Sequence, residues 1–137
     1  MPRNRPEAIL ERQVLAALGT DRGLAIFRNE CGEGFYANVR PQLRALLAGH
    51  PAAEQAMAIL DRNRVHYGLH NGSADLCGLI GPAGRFVSFE LKSEAGALRP
   101  DQILWQARMR ELGALAEVVR SPGQASLYID EARRGQR

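Results

Sequence analysis

Residues 74–102 read ADLCGLIGPAGRFVSFELKSEAGALRPDQ. The fold turns on how Arg85 to Lys92 (RFVSFELK) is understood. Val87, Phe89 and Leu91 alternate with Phe86, Ser88, Glu90 and Lys92, the period-two pattern of a strand with one apolar face. Glu90 and Lys92 then stand side by side on the opposite face. Asp75 opens the preceding apolar run, which Gly81-Pro82-Ala83-Gly84 joins to this one. A Gly/Pro turn between two strand-like runs predicts a hairpin. A hairpin can bring Asp75 near Glu90 and Lys92, so that two carboxylates and one amine converge at a sheet end.

Two hard carboxylate oxygens suit Mg²⁺, which shares its shell with water and substrate phosphate. An adjacent ammonium can orient an attacking water or offset developing negative charge. An E-x-K triplet by itself reads more simply as a surface cross-pair on a solvated hairpin. Two features of the residues favour the site. Lys92 is the only lysine in a chain whose lysines and arginines total 18. An ammonium is compact and has a shiftable pKa, whereas a guanidinium is planar and permanently charged. Gln102 begins a predicted helix, in line with Trp105, Met109 and Leu112. From there it can point over the sheet end, or else cap loop backbone.

A third feature is the whole segment. The runs GSADLCG (72–78), GRFVSFELK (84–92), QILWQ (102–106) and AEVVRS (116–121) together resemble the VRR-NUC family. These are stand-alone nuclease domains of phages and bacteria within the PD-(D/E)XK superfamily. The resemblance covers residues 7–121 and is densest after Arg64. It implies Mg²⁺- or Mn²⁺-dependent phosphodiester hydrolysis, with Asp75, Glu90 and the backbone carbonyl of Leu91 as metal ligands. It makes Lys92 the catalytic lysine and Gln102 the supporting glutamine, and Val118-Val119-Arg120 resembles the motif that names the family. It also implies a glutamate from the first helix leaning towards the metals, for which Glu11 is the first choice and Glu7 the second. Two positions depart from the pattern. Ala74 replaces the proline before the aspartate, and Arg99 stands where a Ser or Thr helix cap is usual.

The rest of the chain bounds these readings. A length of 137 residues suits one domain with a single core. No apolar run is long enough to span a bilayer. Cys31 and Cys77 have no framework spacing, which predicts reduced thiols in a cytoplasm; the resemblance implies that of a bacterial host. Together with His66 and His70 they also lack zinc-site spacing. A net charge of +3 and a pI near 9.3 permit nucleic-acid binding.

In order, residues 1–6 are expected to be a basic, disordered arm, residues 7–133 one nuclease-like domain, and residues 134–137 a solvated tail. Glu7–Leu18 has the stripe of an amphipathic helix, stopped at Gly19. Leu24–Phe27 is a predicted strand ending at Arg28-Asn29. The resemblance implies an Arg-Asn pair here, which makes Arg28 and Asn29 candidates for a backbone phosphate contact; the alternative is strand-end hydrogen bonding, which suits Asn29 better. Cys31-Gly32-Glu33-Gly34 reads as a turn. Residues 36–63 read as an insertion with helices at Pro41–Ala48 and Ala52–Asp61. Arg40, Arg44, Arg62 and Arg64 there are candidates for phosphate contacts, and each also suits a solvated basic face. His70 and Ser73, in the loop before Asp75, and Arg120 complete the nucleic-acid candidates. Pro100 and Asp101 suit a helix start, Gly113 suits its stop, and residues 114–120 and 124–133 read as a strand and a last helix.

The expected fold is α/β, a restriction-endonuclease-like mixed sheet flanked by helices. The expected activity is a Mg²⁺-dependent DNA endonuclease resembling Holliday junction resolvases, acting on branched or junction DNA. It needs no small-molecule cofactor and no membrane, and acts as a two-fold homodimer. The alternatives are a nucleic-acid-binding module without cleavage, or a nuclease for flaps or plain duplex.

Overall fold

The computed structural model describes residues 5–34 and 39–137. The first four residues of the expected arm, and the start of the expected insertion at 36–38, lie outside them. The elements are α1 (Arg5–Leu18), β1 (Leu24–Arg28), β2 (Gly32–Gly34), α2 (Val39–Leu46), α3 (Ala53–Arg62), β3 (Val65–Tyr67), β4 (Leu76–Ile80), β5 (Arg85–Leu91), α4 (Pro100–Glu111), β6 (Leu115–Val119) and α5 (Pro122–Arg133). They fall into two compact units. One runs to Glu30 and resumes over Leu69–Arg137; the other is Cys31–Gly68.

The first unit is an α/β body on a four-stranded mixed sheet of order β1-β4-β5-β6. The predicted hairpin is present: β4 and β5 are antiparallel, with Leu76 opposite Phe89 and Ile80 opposite Arg85. β1 lies antiparallel to β4, and β6 lies parallel to β5 with Glu90 opposite Val118. The parallel pair needs a crossover, which α4 supplies.

Alternation along β5 decides the layers. Val87, Phe89 and Leu91 join Leu10, Val14 and Leu18 of α1, Leu76 and Ile80 of β4, Leu115 and Val119 of β6, and Ala125 and Ile129 of α5 in one core. Leu10, Val14 and Leu18 recur every four residues, so one face of α1 is buried and the helix docks by it. Burial of each such side chain contributes about 1.5–3 kcal/mol. The alternate residues Ser88, Glu90 and Lys92 are also buried. β5 therefore has an apolar face against α1 and α5, and a polar face that α4 helps to cover.

Several ends differ from expectation. α5 starts at Pro122, not Gln124, because Ser121 caps it: its Oγ accepts from the Gln124 N–H at 3.2 Å. The tail is exposed, as expected, but its last side chain is tethered. The Arg137 guanidinium reaches Glu117 at 2.7 Å and Glu131 at 2.5 Å, and lies 4.1 Å from the Tyr128 ring centre.

In the second unit the expected turn at Cys31–Gly34 contains β2, which pairs antiparallel with β3, Gly32 opposite Tyr67. Three residues with two glycines carry no alternation from which to read a strand. The two helices lie within two residues of their expected bounds. Arg40 grips Asp61 with two bonds of 3.1 and 3.0 Å, and Arg64 meets the same carboxylate at 3.4 Å. Met57 is the one buried hydrophobic side chain of this unit among the described residues.

Gly78 sits between Leu76 and Ile80 where β1 closes on β4. A Cβ there would stand 1.9 Å from the Ala25 carbonyl oxygen, which no rotamer relieves. Gly78→Ala is expected to destabilise the sheet by at least about 1–3 kcal/mol, the usual range for overpacking. Urea unfolding checks this, and an unchanged midpoint would contradict the β1–β4 packing described.

Candidate active site

The two strands of the hairpin bring three of the expected groups together at one sheet end. Asp75 stands just before β4, and its Oδ2 accepts the Leu91 N–H at 2.8 Å. That bond fixes the Asp75 carboxylate against the last residue of β5. Glu90 is 2 % exposed and Lys92 8 %, so the pair is not a solvated cross-pair. The Lys92 Nζ lies 2.7 Å from Glu90 Oε1. Gln102 Nε2 donates to the same Oε1 at 2.5 Å. Glu90 Oε2 is buried without a hydrogen-bond partner among the described residues.

Gln102 does both things its position allowed. Its Nε2 holds Glu90, and its Oε1 accepts the Arg99 N–H at 3.0 Å. The second bond is the return half of a capping box, and it fixes which end of the amide faces the carboxylate. Arg99 cannot accept a hydrogen bond. It instead binds Asp101 through two 3.1 Å contacts, so the helix begins firmly without a Ser or Thr cap.

The charge state of Glu90 follows from its surroundings. Burial pushes its carboxyl up, and the charge of Asp75 pushes it further; Lys92 opposes both, and the result is about 7. The carboxylate is thus held near its protonation boundary at neutral pH. A second negative charge nearby and an oxygen with no donor are what a bound cation would relieve. Asp75, Glu90 and the Leu91 carbonyl are the groups that would hold one, and all are hard oxygen donors suited to Mg²⁺ or Mn²⁺.

The other expected residues fall elsewhere. Glu11 is buried, but its Oε1 is 2.6 Å from Arg28 Nε. No three His, Cys, Asp or Glu side chains form a metal-holding group among the described residues, so Glu11 does not complete a three-acid set with Asp75 and Glu90. Arg28 is correspondingly occupied by Glu11. Glu7 is half-buried on the same helix. Arg120 is exposed but committed to its own chain: it donates to the carbonyls of Ser93, of Glu94 at 3.1 Å and of Gly96 at 2.9 Å. It thereby ties down the loop that joins β5 to α4. In the second unit, Arg40 and Arg64 share Asp61, while Arg44 and Arg62 are exposed.

Asn29 shapes the approach to Asp75. It is buried, and its Nδ2 lies 2.8 Å from both Ser73 Oγ and the Ala74 carbonyl. Its own N–H donates to the Asp75 carbonyl at 2.7 Å. Ser73 passes the constraint on, its Oγ donating to the His70 carbonyl at 2.6 Å. Ser73 is 8 % exposed, so it organises the loop from within. His70 is exposed, and its ring stacks on Trp105.

Gln106 is not among the site residues expected from the sequence. It is buried one turn after Gln102, with Arg110 Nη2 at 3.4 Å from its Oε1. Two glutamines four residues apart share one side of a helix, a signal that a polar strand face lies beneath. No protein-family model, curated protein or solved structure matches the chain.

The raised Glu90 pKa has a consequence for stability. A folded-state value near 7 against an ordinary 4.5 means the folded chain holds a proton the unfolded chain has released. Stability from this group is therefore full below about pH 4.5 and falls as pH rises towards 7. The loss amounts to about 3 kcal/mol at most. Glu90→Gln keeps an acceptor for Lys92 and removes the titration. Its stability relative to the parent is expected to rise between pH 5 and pH 8, measured by urea unfolding at each pH. A difference independent of pH would contradict the assignment.

Proposed function

We propose that the chain is a divalent-metal-dependent DNA endonuclease of the VRR-NUC type, with the sheet arranged as in restriction endonucleases. The observation that carries this is the buried Glu90. One of its oxygens is gripped by Lys92 and Gln102, the other has no donor, and Asp75 is fixed nearby. Structural ion pairs also occur in cores, but burying one beside a second carboxylate works against stability. A positively charged ligand offsets that cost.

Each residue then has a role. Asp75 and Glu90, with the Leu91 carbonyl, bind the cation, and Gln102 keeps Glu90 oriented. Lys92 holds its ammonium beside the carboxylates, positions the attacking water and offsets charge on the phosphate as the bond to the leaving oxygen breaks. A bound Mg²⁺ or Mn²⁺ would supply Lewis-acid polarisation of the phosphoryl oxygen and acidify water. No covalent intermediate is required. The substrate we propose is branched or junction DNA, cut by a two-fold homodimer with paired sites in a bacterial cytoplasm. The described residues include no helix long and apolar enough to cross a membrane.

One observation favours a second reading, a nucleic-acid-binding module without cleavage: no third acidic side chain joins the pair among the described residues. The two readings part on a panel of labelled DNA structures. Cleavage is expected with Mg²⁺ or Mn²⁺, none in EDTA, and Ca²⁺ is expected to support binding better than cutting. Cutting by metal-stripped protein would rule out the mechanism; binding without cutting under every metal would favour the module.

Lys92→Arg is the sharper test of roles. A guanidinium is larger, and its donors fork away from the point an ammonium fills. It is expected to pair bidentately with Glu90 and hold that carboxylate from the cation. The variant should fold and bind DNA within about twofold of the parent, yet lose turnover by about 100-fold, because the lost interaction belongs to the transition state. Cleavage at the parent rate would remove Lys92 from the mechanism.

A further inference from the structure

We propose that the stacked pair His70 and Trp105 forms a platform for an unpaired nucleobase beside the candidate active site. The inference deepens the nuclease reading, on which it rests for the position of the scissile phosphate.

The two rings belong to the two segments that build the site. Trp105 lies one turn after Gln102 on α4, a spacing at which side chains are neighbours, and Gln102 itself touches Glu90. His70 opens the loop that ends at Asp75. The rings lie 6.5 Å apart between centres, with their planes 17° from parallel, an offset stack.

The loop has little freedom. The His70 carbonyl accepts from the Ser73 N–H at 3.0 Å and from Ser73 Oγ at 2.6 Å, and Asn29 holds that hydroxyl in turn. Gly72, at a φ of +84°, lets the loop press on the start of α4, where a Cβ would stand 2.6 Å from the Asp101 carbonyl. The platform is therefore built before any ligand arrives.

Its exposure runs outward. Trp105 is half-buried, with its Nε1 buried, while His70 is exposed. The imidazole is thus the outer ring. Its Nδ1 lies 2.6 Å from the Asn71 carbonyl, which can only accept, so Nδ1 carries the proton. In the neutral ring Nε2 remains an acceptor for an N–H on a base edge. Leu69, Ile103 and Leu104, neighbours of these residues in the chain, are more than half exposed.

An exposed aromatic stack beside a candidate phosphate site suits the face of a base. In a duplex those faces are covered by neighbouring pairs, and only an unpaired or splayed base offers one. The substrate class this selects is DNA with unpaired nucleotides next to the cut, such as a frayed junction arm, a flap or a single strand.

Trp105 is the only tryptophan in the chain, so its fluorescence reports the platform directly. The full chain is titrated in Ca²⁺ with a labelled single-stranded oligothymidylate, with the same strand carrying abasic sites, and with a blunt duplex of equal length. Affinity is read by anisotropy of the labelled DNA. The thymidylate strand is expected to quench Trp105 and to bind about tenfold more tightly than the abasic strand, in the range of one stacked base. The duplex should quench least. His70→Ala should weaken thymidylate binding about tenfold and leave abasic binding unchanged, and His70→Phe should restore it. Equal affinity for thymidylate and abasic strands, an unaltered His70→Ala, or no binding of any strand would overturn the platform. None of these readouts needs cleavage, so the nuclease reading can fail while the platform stands, and the reverse.

Discussion

A carboxylate buried at the end of a central strand is the constraint on which the rest depends. Glu90 is nearly inaccessible, and an unpaired ionised group in such a place would cost several kcal/mol. Lys92 and Gln102 offset part of that cost by donating to Oε1. Asp75 adds to it, and the balance leaves the group poised near pH 7. The arrangement is tolerated only because the opposite face of β5 carries the core. Val87, Phe89 and Leu91 hold the strand in place irrespective of what its polar face does.

The supports of the site are mutually dependent. Gln102 can reach Glu90 only if α4 starts at the right place over the sheet. Arg120, at the end of β6, ties the preceding loop at three carbonyls, and the Lys92 N–H bonds the Val119 carbonyl at 3.1 Å. Asn29, at the end of β1, does the equivalent for Asp75 from the other side. Three strand ends therefore converge on one sheet end, each contributing a backbone tether as well as a side chain. A site made this way is rigid on secondary structure and needs no loop to close before it exists.

Much of this was legible in the chain, for reasons that particular residues make plain. Alternation from Arg85 to Lys92 gave the hairpin and the pairing of Glu90 with Lys92, because a period of two leaves no other placement. The turn glycines and Pro100 located the strand and helix ends nearby. What was not legible depended on long-range partners. The bonding of Arg120 to the loop carbonyls and the pairing of Arg28 with Glu11 need positions far apart in sequence. The docking of Arg137 on Glu117 does too. The strands β2 and β3 were missed or left unassigned because three-residue segments carry almost no periodic signal. The burial of the polar face of β5 was carried by Gln102 and Gln106, which look like ordinary surface residues until the crossover is known.

The central claim is that Asp75 and Glu90 together bind a divalent cation, and Mn²⁺ titration tests it most directly. The free Mn²⁺ signal in electron paramagnetic resonance is followed as the full chain is added at pH 8, above the Glu90 transition. The account predicts saturable binding by the parent chain, and its loss in Glu90→Gln and in Asp75→Asn while circular dichroism shows both folded. Binding unchanged in both variants, or none by the folded parent, would contradict it.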